Sequence, residues 1–388
     1  MNLNANWNYP TAIRVGAGRI AELPELCREL GLNHPLLVTD PGLAALPMVE
    51  QALGVLQQEG LPCGLFSDIK ANPTGENVEA GVTACRSGTH DGIIAFGGGS
   101  ALDAAKAIAL MVGQTRPLWD FEDVGDNWTR VDPQGMVPVI AVPTTAGTGS
   151  EVGRASVITD TQRHVKKIIF HPGMMPARVI LDPQLTIGLP PGVTAATGMD
   201  ALSHNLEAWC APFYHPMAEG IALEGMRLVK EYLPLAFADG ENIEARTQML
   251  VASSMGATAF QKGLGAMHAL AHPLGALYDA HHGLLNAILM PYVLLANRAA
   301  IETSLSRAAC YLELDTPGFD GFLDWILGLR QQLEIPHSLS AIGIDDRQAD
   351  TVATMAQQDP SAGGNPIRFD ASAYRRIFLD AVSGTLER

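Results

Sequence analysis

The order of short apolar runs in the first half of the chain is the feature that most limits the possible folds. Between residues 11 and 183, short β-rich runs end at Gly, Pro or Asp and alternate with stretches of helical periodicity. Such alternation is typical of a mostly parallel sheet with helices on both faces, so we predict an α/β domain. One helix is predicted over LAALPMVEQALGVLQQEG, ending at Gly60. The predicted strands are TAIRVG, PLLVTD, CGLFSD, GIIAFGG, VPVIAV and RVILD.

The pattern changes at LTIGLPPG, a passage at residues 185–192 that proline and glycine interrupt. A chain of 388 residues, 47% of them hydrophobic, exceeds the size of most single cores, so two domains are expected. We place the boundary at residue 185, with an α/β domain at residues 1–185 and an all-helical domain at residues 186–388. The predicted helices of the second domain include AATGMDALSHNLEAW, MAEGIALEGMRLVKEYL, ARTQMLVASSMGATAF and LGAMHALAHPLGAL.

The acidic composition limits the class of partner. The formal charge is -16, from 41 acidic and 25 basic residues, and such a field repels nucleic acid and anionic membranes. Small molecules are therefore the expected partners. The five cysteines are scattered without a Cys-x-x-Cys pair, which indicates a reducing compartment and favours a cytoplasmic protein. We expect neither a secretory signal nor a membrane span, since no apolar run reaches about 18 residues.

Three glycine-containing segments compete for a phosphate-binding role. The first, Gly16-Ala17-Gly18, follows a strand, and Asp40 lies 22 residues beyond its last glycine, as in a Rossmann fingerprint. The second, Gly97–Ser100, follows the most apolar strand and opens a predicted helix, and the third, Thr144–Glu151, follows VPVIAVP. Glycines at a strand-to-helix turn let backbone N–H groups point at a phosphate at the positive end of the helix dipole. The second segment fits this chemistry best, and a tight turn without a ligand is the alternative for each.

The histidines of the second half are spaced so that several share helix faces. Two pairs are four residues apart, Asp200 with His204 and His268 with His272, and the doublet His281–His282 follows. Carboxylates and imidazoles buried without partners are costly, and a divalent metal would satisfy them. Each histidine alone is compatible with an ordinary core or surface position. Together they indicate a metal site, and this donor set suits iron or zinc better than magnesium or calcium.

These motifs together resemble the iron-containing (group III) alcohol dehydrogenase family over nearly the whole chain. NYPTAIRVGAGRIAEL is similar to the family's first strand and helix, GGGSALDAAKAIA to its phosphate loop, and PTTAGTGSE to its second nucleotide loop. VKKIIFHPGMMPARVILDPQLT is similar to its connection between domains, and GMDALSHNLEAW and HALAHPLGALYDAHHG to its metal-ligand blocks. The resemblance implies a dehydroquinate synthase-like fold, with a dinucleotide-binding domain at residues 1–185 and a helical metal-binding and catalytic domain at residues 186–388.

The resemblance also implies a metal site with Fe²⁺ bound, or Zn²⁺ or another divalent metal. The ligand positions of the family fall on Asp200, His204, His268 and His282. His272, one helical turn after a ligand, would face the active site and act in proton transfer. We do not expect it to be a fifth ligand, because that would compete with the substrate oxygen. His281 is not expected to be a ligand either.

The same matching implies that NAD is the cofactor. Asp40 would accept hydrogen bonds from the adenosine ribose and repel a 2′-phosphate, which disfavours NADP. Gly16-x-Gly18 is then a coincidental match. The lysine that precedes the connection between domains in the family falls on Lys166, with Lys167 as the alternative. The full set expected to contact the cofactor is Asp40, Asn72, Gly97, Gly98, Gly99, Ser100, Asp103, Thr144, Thr145, Thr148 and Lys166.

The activity that the resemblance implies is hydride transfer between NAD and a small primary alcohol or its aldehyde. The metal would act as a Lewis acid on the alcohol oxygen. Glycerol dehydrogenases, maleylacetate reductases and dehydroquinate synthases are rival members of the superfamily, and the four occupied ligand positions disfavour them. A catalytically weak regulatory homologue is an alternative of another class. We also expect a homo-oligomer, a dimer or larger, with no nucleic-acid or membrane partner.

Overall fold

Two compact units make up the protein in a computed structural model, which describes residues 5–7 (backbone only), 11–163 and 165–387. One unit comprises Met1–Thr145 and Gly149–Gly188, and the other comprises Ala146–Thr148 and Leu189–Arg388. The first unit thus ends three residues after the boundary expected at residue 185. The short segment Ala146–Thr148, which the sequence placed in the first domain, belongs to the second unit. Residues 8–10 of the first motif lie outside the described part of the chain.

The first unit is built on a mostly parallel sheet. Its strands, together with those of a separate hairpin, are β1 (Ala5–Trp7), β2 (Ala12–Val15), β3 (Leu36–Val38), β4 (Gly64–Phe66), β5 (Ile93–Gly97), β6 (Val139–Pro143), β7 (Ala155–Asp160), β8 (Val165–Phe170) and β9 (Arg178–Leu181). The sheet has the order β1-β2-β9-β6-β5-β3-β4, and all neighbours from β2 to β4 are parallel, while β1 is antiparallel to β2. Every strand predicted from an apolar run is present. The predicted fold class is confirmed.

The hairpin of β7 and β8 lies outside the main sheet and was not among the predicted strands. Its register pairs Ser156 with Ile169 and Asp160 with Val165. VKKIIF, expected within a connection between domains, is β8. In β7 every second residue is buried, which is the pattern of a strand with one face against the protein.

Helices cover the sheet, and their bounds are α1 (Leu23–Glu29), α2 (Pro41–Ala44), α3 (Pro47–Gln58), α4 (Gly75–Ser87) and α5 (Gly99–Met111). The helix predicted to continue from Leu43 to Gly60 is interrupted, because Pro47 has no N–H to donate and instead begins α3. The core of this unit packs Leu26 of α1 and Leu56 of α3 against strand residues such as Phe96, all of them fully buried.

The second unit is helical among the residues that the structure describes. Its helices are α6 (Pro191–Cys210), α7 (Pro216–Ala238), α8 (Ile243–Ala259), α9 (Ala266–Tyr278), α10 (His282–Tyr311), α11 (Gly318–Gln332), α12 (Ala349–Gln358) and α13 (Ala371–Ser383). Helices α6 to α9 contain the four predicted helical patterns. Helix α10 is long and apolar enough to cross a membrane, but 67% of its most apolar window is buried inside the protein, as in a core helix.

Candidate active site

The turn between β5 and α5 presents backbone N–H groups at the start of a 13-residue helix. Gly97 has a φ of 144°, and a Cβ there would lie 2.9 Å from the Cβ of Ala101, so this position requires glycine. Gly98 is the N-cap residue, and no side chain in the described part of the chain caps it. The N–H groups of the first turn of α5 are therefore available to an anion.

The loop at residues 144–151, predicted to be the second nucleotide loop, begins beside this turn because β5 and β6 are neighbouring parallel strands. Gly97 pairs with Pro143, and the N–H of Thr144 donates to the carbonyl of Gly97 at 2.9 Å. The side chain of Thr145 lies 3.5 Å from the position that a Cβ of Gly98 would take. Thr144 and Thr145 thus lie next to the turn between β5 and α5, whereas Thr148 belongs to the segment assigned to the second unit.

Asp103 and Lys106 fix the backbone around these loops. The Asp103 carboxylate accepts hydrogen bonds from Ser150 Oγ at 2.5 Å and from the N–H of Val157 at 2.9 Å, and it pairs with Lys106 at 3.2 Å. Lys106 is fully buried and donates to the carbonyl of Ser150; burial lowers its pKa, while Asp103 opposes that shift. Asp103, expected to contact the cofactor, is therefore engaged with the protein and positions the second loop.

Asp40 and Ser100 also make contacts within the protein. Asp40 lies after β3 and caps α2, since its Oδ1 accepts the N–H of Leu43 at 3.0 Å. Ser100 Oγ donates to the carbonyl of Ala71, which ties the start of α5 to the segment that contains Asn72. Each side chain thus combines a local structural contact with its expected place near the cofactor.

The two candidate lysines lie next to each other on β8. Lys167 is 7% exposed and pairs with Glu122 at 3.1 Å and Asp160 at 3.3 Å. Lys166 is half-buried and, as the adjacent strand residue, points to the opposite face of the hairpin. Lys167 is therefore committed to two carboxylates, and Lys166 remains the lysine that the sequence predicts to contact a ligand.

At the turn of Gly16–Gly18, the N–H groups of Gly18 and Ile20 are bonded within the protein. The carboxylate of Asp182 accepts the N–H of Gly18 at 3.1 Å and the N–H of Ile20 at 3.0 Å. Asp182 is fully buried; burial raises its pKa, and these backbone hydrogen bonds oppose the shift. Two of the amides that a Rossmann fingerprint would direct at pyrophosphate are therefore already bonded to Asp182.

Four predicted metal ligands come together in the second unit. The ligand atoms of Asp200, His204 and His268 all lie within 4.8 Å of one another, and all three residues are buried. His282, the first residue of α10, brings its Nε2 to 3.7 Å from Asp200 Oδ1. Gly283 allows this approach, because a Cβ there would lie 2.4 Å from the carbonyl oxygen of Ala196 on α6.

Hydrogen bonds at the far side of two rings select the nitrogen that faces the cluster. His204 Nδ1 donates to the carbonyl of Gly147 at 3.2 Å, and His268 Nδ1 lies 2.7 Å from Glu207 Oε2. Donation from Nδ1 leaves each Nε2 unprotonated, as metal binding requires. Burial lowers the pKa of His268 well below its usual value, which keeps the ring neutral, and burial raises the pKa of Glu207 to about 7.

The side chain of Asn286 lies among acceptor atoms of the cluster, and their number indicates whether the cluster fits a cation. Its Nδ2 lies 2.9 Å from Asp200 Oδ1 and 3.2 Å from the Nε2 atoms of His268 and His282. An amide nitrogen has two hydrogens, so it cannot give each of three acceptors a hydrogen of its own. The convergence of a carboxylate oxygen and imidazole nitrogens fits a divalent metal of the first transition series or zinc.

His272 and His281 lie beside the cluster in different roles. His272 Nδ1 lies 2.8 Å from Asp359 Oδ2, and its ring stacks on that of His282 with centroids 5.4 Å apart. Burial alone would raise the pKa of Asp359, but the contacts with His272 and Ser361 hold it below its usual range. His281 is exposed and caps α10 through Nδ1, which accepts the N–H of Leu284 at 3.4 Å.

Comparison with known families agrees with this geometry. The model of iron-containing alcohol dehydrogenases matches residues 10–183, and that of the C-terminal domain of Fe-containing alcohol dehydrogenases matches residues 194–382. The chain belongs to the iron-containing alcohol dehydrogenase family. The family predicted from the sequence motifs is thereby confirmed.

Several relatives of this dehydrogenase family align over almost the full length. The chain is 37% identical over 383 residues to a 4-hydroxybutyrate dehydrogenase of Cupriavidus necator, covering 96% of this chain and 99% of the relative. It is 34% identical to a 1,3-propanediol dehydrogenase of Klebsiella pneumoniae, with 97% of each chain covered. Among solved structures, a 1,3-propanediol oxidoreductase superimposes with a TM-score of 0.90 at 33% identity, covering 98% of this chain and 100% of the other. A sulfoacetaldehyde reductase from Bifidobacterium kashiwanohense, solved with NAD⁺, superimposes with a TM-score of 0.87 at 29% identity, covering 97% of this chain and 99% of the other.

Three polar residues of this family member were absent from the sequence prediction. Glu207, Asn286 and Asp359 each bond to a histidine or to Asp200 in the cluster. Glu207 and Asn286 had a local signal, because each lies three or four residues from a predicted ligand on the same helix. Asp359 had none, since it lies 87 residues from His272 in the sequence.

Proposed function

We propose that this oxidoreductase transfers hydride between NAD and a small primary alcohol or its aldehyde, with Fe²⁺ as its metal, or Zn²⁺ or another divalent ion. The observation that carries the proposal is the convergence of Asp200, His204, His268 and His282, with two rings held in the metal-binding tautomer. A metal bound there supplies Lewis-acid chemistry, which lowers the pKa of an alcohol oxygen and polarises an aldehyde.

The side chains around the cluster have distinct tasks in this proposal. The four ligands would hold the ion, and Asp200 would contribute the one carboxylate among them, so the site would keep a net positive charge. His272 stays off the metal and accepts the proton at Nε2, since its Nδ1 is directed at Asp359. In the reverse direction the same ring returns the proton to the product oxygen.

The first unit holds the dinucleotide in the proposed reaction. The uncapped N–H groups at the start of α5 bind the pyrophosphate, and Thr144 and Thr145 line the neighbouring loop. Asp40 supports NAD over NADP, because its carboxylate repels a 2′-phosphate and accepts hydrogen bonds from ribose hydroxyls. A sulfoacetaldehyde reductase of the same fold was solved with NAD⁺, which also favours this cofactor.

The names of the relatives favour a primary alcohol as the substrate class. They include dehydrogenases of 4-hydroxybutyrate, methanol, 1,3-propanediol and choline, whose hydroxyl groups are all on terminal carbons. We propose a soluble cytoplasmic enzyme with small-molecule partners that works as a homo-oligomer. The rival assignments, a metal-independent reductase or an inactive homologue, have no use for four converging ligands.

The proposal is tested by measuring metal content and turnover on one preparation. Protein reconstituted anaerobically with Fe²⁺ or Zn²⁺ should bind one ion per chain and oxidise NADH with simple aldehydes, and NADPH should be the poorer donor. His268→Ala should stay folded and lose both the ion and the turnover, because the buried ring provides a ligand atom.

A matched control keeps the comparison specific. His281→Asn removes an imidazole from the neighbouring surface but keeps a residue that can cap α10, so metal content and turnover should match those of the parent. If His268→Ala retained bound metal and turnover, the ligand assignment would be wrong.

A further inference from the structure

Helix α9, which carries His268 in its first turn, begins without a cap of its own. Its N-cap residue is Gly265, which has no side chain to accept the exposed N–H groups. Those groups are satisfied by residues distant in sequence. Glu207 accepts the N–H of Gly265 at Oε2 and that of Met267 at Oε1, both at 2.8 Å, and Asn365 Oδ1 accepts the N–H of Ala266 at 3.1 Å.

The carboxylate that caps α9 also contacts His268. Glu207 Oε2 lies 2.7 Å from His268 Nδ1, and Glu207 is 5% exposed. Three donors around two oxygens suit an ionised carboxylate, which only accepts hydrogen bonds. The close approach depends on glycine, since a Cβ at Gly265 would lie 2.9 Å from Glu207 Oε1.

Glu207 is also tied to the other side of the cluster by its helix. It lies on α6, three residues after His204 and seven after Asp200. One carboxylate therefore joins the helix that carries two of the ligands to the helix that carries a third.

We propose that Glu207 is a positioning residue for the metal site: it caps α9 and accepts the Nδ1–H of His268, so that His268 Nε2 is unprotonated and directed at Asp200 and His204. This inference rests on the metal site of the proposed function. Carboxylates that hold a metal-bound histidine in this way affect metal affinity by about 10- to 100-fold.

Glu207→Gln separates this task from simple helix capping. The glutamine oxygen still accepts a backbone N–H, but its NH₂ cannot accept from His268 Nδ1. Nδ1 of His268 then accepts a hydrogen bond from that NH₂ group, so the proton of the ring moves to Nε2. A protonated Nε2 cannot bind a metal. The variant should therefore fold and bind metal about 10- to 100-fold more weakly.

The decisive measurements use the full-length protein in the absence of cofactor and substrate. Zn²⁺ affinity is measured by competition with a chromophoric chelator, and the tautomer of His268 is read from ¹⁵N shifts of histidine-labelled, metal-free protein. We expect wild type to carry the proton on Nδ1, and Glu207→Gln to carry it on Nε2 and to lose affinity. Glu207→Asp, which keeps the carboxylate, should restore part of that affinity.

Asn365→Ala is the matched control for capping. It removes an acceptor from the same helix end without touching His268, so thermal stability should fall while the Zn²⁺ affinity stays within about twofold of wild type. Equal affinity and an unchanged tautomer in Glu207→Gln would overturn the inference. If wild type bound neither Zn²⁺ nor Fe²⁺ nor another divalent ion, the proposed function would fail, whereas the tautomer measurement on metal-free protein would still decide the role of Glu207.

Discussion

His272, like His268, is held at Nδ1 by a carboxylate. His204 and His268 direct Nδ1 at the carbonyl of Gly147 and at Glu207, and His272 directs it at Asp359 on the segment after α12. An imidazole held by a carboxylate at Nδ1 presents Nε2 as an acceptor, which suits a proton relay more than a bystander. Stacking of His272 on His282 keeps the ring of His272 beside the proposed metal site.

Asp359→Asn should lower kcat by about 100-fold or more and leave the metal content and the affinity for NADH unchanged. Asparagine can still cap Ser361, as Asp359 does, but its NH₂ cannot accept from His272 Nδ1. His272→Ala should cause a similar loss, and the double variant should be no worse than either single one. Steady-state kinetics with metal analysis would check this, and Asp350→Asn, at an exposed side chain, is the control. Loss of metal from His272→Ala would make that residue a ligand, and an unchanged kcat would remove it from the reaction.

Individual residues of the site were predictable where the sequence carries local spacing. Asp200 with His204 and His268 with His272 are four apart on helices, and the family motifs added His282. The partners of their rings were harder to predict, because Gly147 and Glu207 lie 57 and 61 residues from the histidines that they contact. Contacts of this length depend on how helices pack, so the spacing of Glu207 from His204 indicates a shared helix face but not the contact with His268.

Two glycine-containing turns that precede helices look alike in sequence but differ in whether a side chain accepts their backbone N–H groups. The turn at Gly97–Gly99 opens a helix whose first N–H groups have no side-chain cap among the described residues. In the turn at Gly16–Gly18, Asp182 accepts the corresponding N–H groups. The glycine spacing alone could not separate them, since the deciding residue lies more than 160 positions away.

Gly98→Val should weaken NADH binding at least about tenfold, because its side chain would project where the pyrophosphate meets the amides. The φ of Gly98 is −76° and its nearest neighbour is 3.5 Å from a Cβ, so the protein itself tolerates a side chain there. Gly18→Ala should leave NADH affinity unchanged but lower the thermal stability, since φ at Gly18 is +79° and alanine is strained there. Fluorescence titration with NADH and thermal melting distinguish the two effects. If Gly18→Ala weakened NADH binding and Gly98→Val did not, the turn at Gly16–Gly18 would be the pyrophosphate-binding turn.

The secondary structure was predictable where the pattern is strongly periodic. The strands of the main sheet and α6 to α9 follow from apolar runs and helical spacing, whereas the β7–β8 hairpin was missed, with its strands joined by no Asn-Gly or Asp-Gly turn. Helix α10 was not assigned, because most of its residues over Gly283–Leu294 are buried, so no amphipathic stripe marks it.

At the scale of the whole molecule, the residues proposed for the metal and those proposed for the pyrophosphate belong to different compact units. Ligands stabilise the segments that they bind, by mass action on local opening. Zn²⁺ or Fe²⁺ should therefore slow amide hydrogen exchange in peptides from α6 and from the starts of α9 and α10. NADH added to metal-free protein should protect peptides that span the start of α5.

Hydrogen exchange followed by mass spectrometry checks this pattern. His268→Ala should lose the protection caused by the metal and keep that caused by NADH. Metal-induced protection confined to the α5 peptides would contradict the proposed ligands.

The segment Ala146–Thr148 limits how the helical unit could be separated from the rest of the chain, in evolution or by engineering. A gene fragment for residues 189–388 would encode all four proposed ligands and yet omit Gly147, whose carbonyl fixes the ring of His204. Gly147 also packs so closely on Thr197 that a Cβ would lie 2.9 Å from the Cβ of Thr197, so a loop that replaced it would need glycine at this position. Recombination that joined the helical unit to another nucleotide-binding domain would therefore also have to supply the tripeptide Ala146–Thr148, which precedes that unit in the sequence.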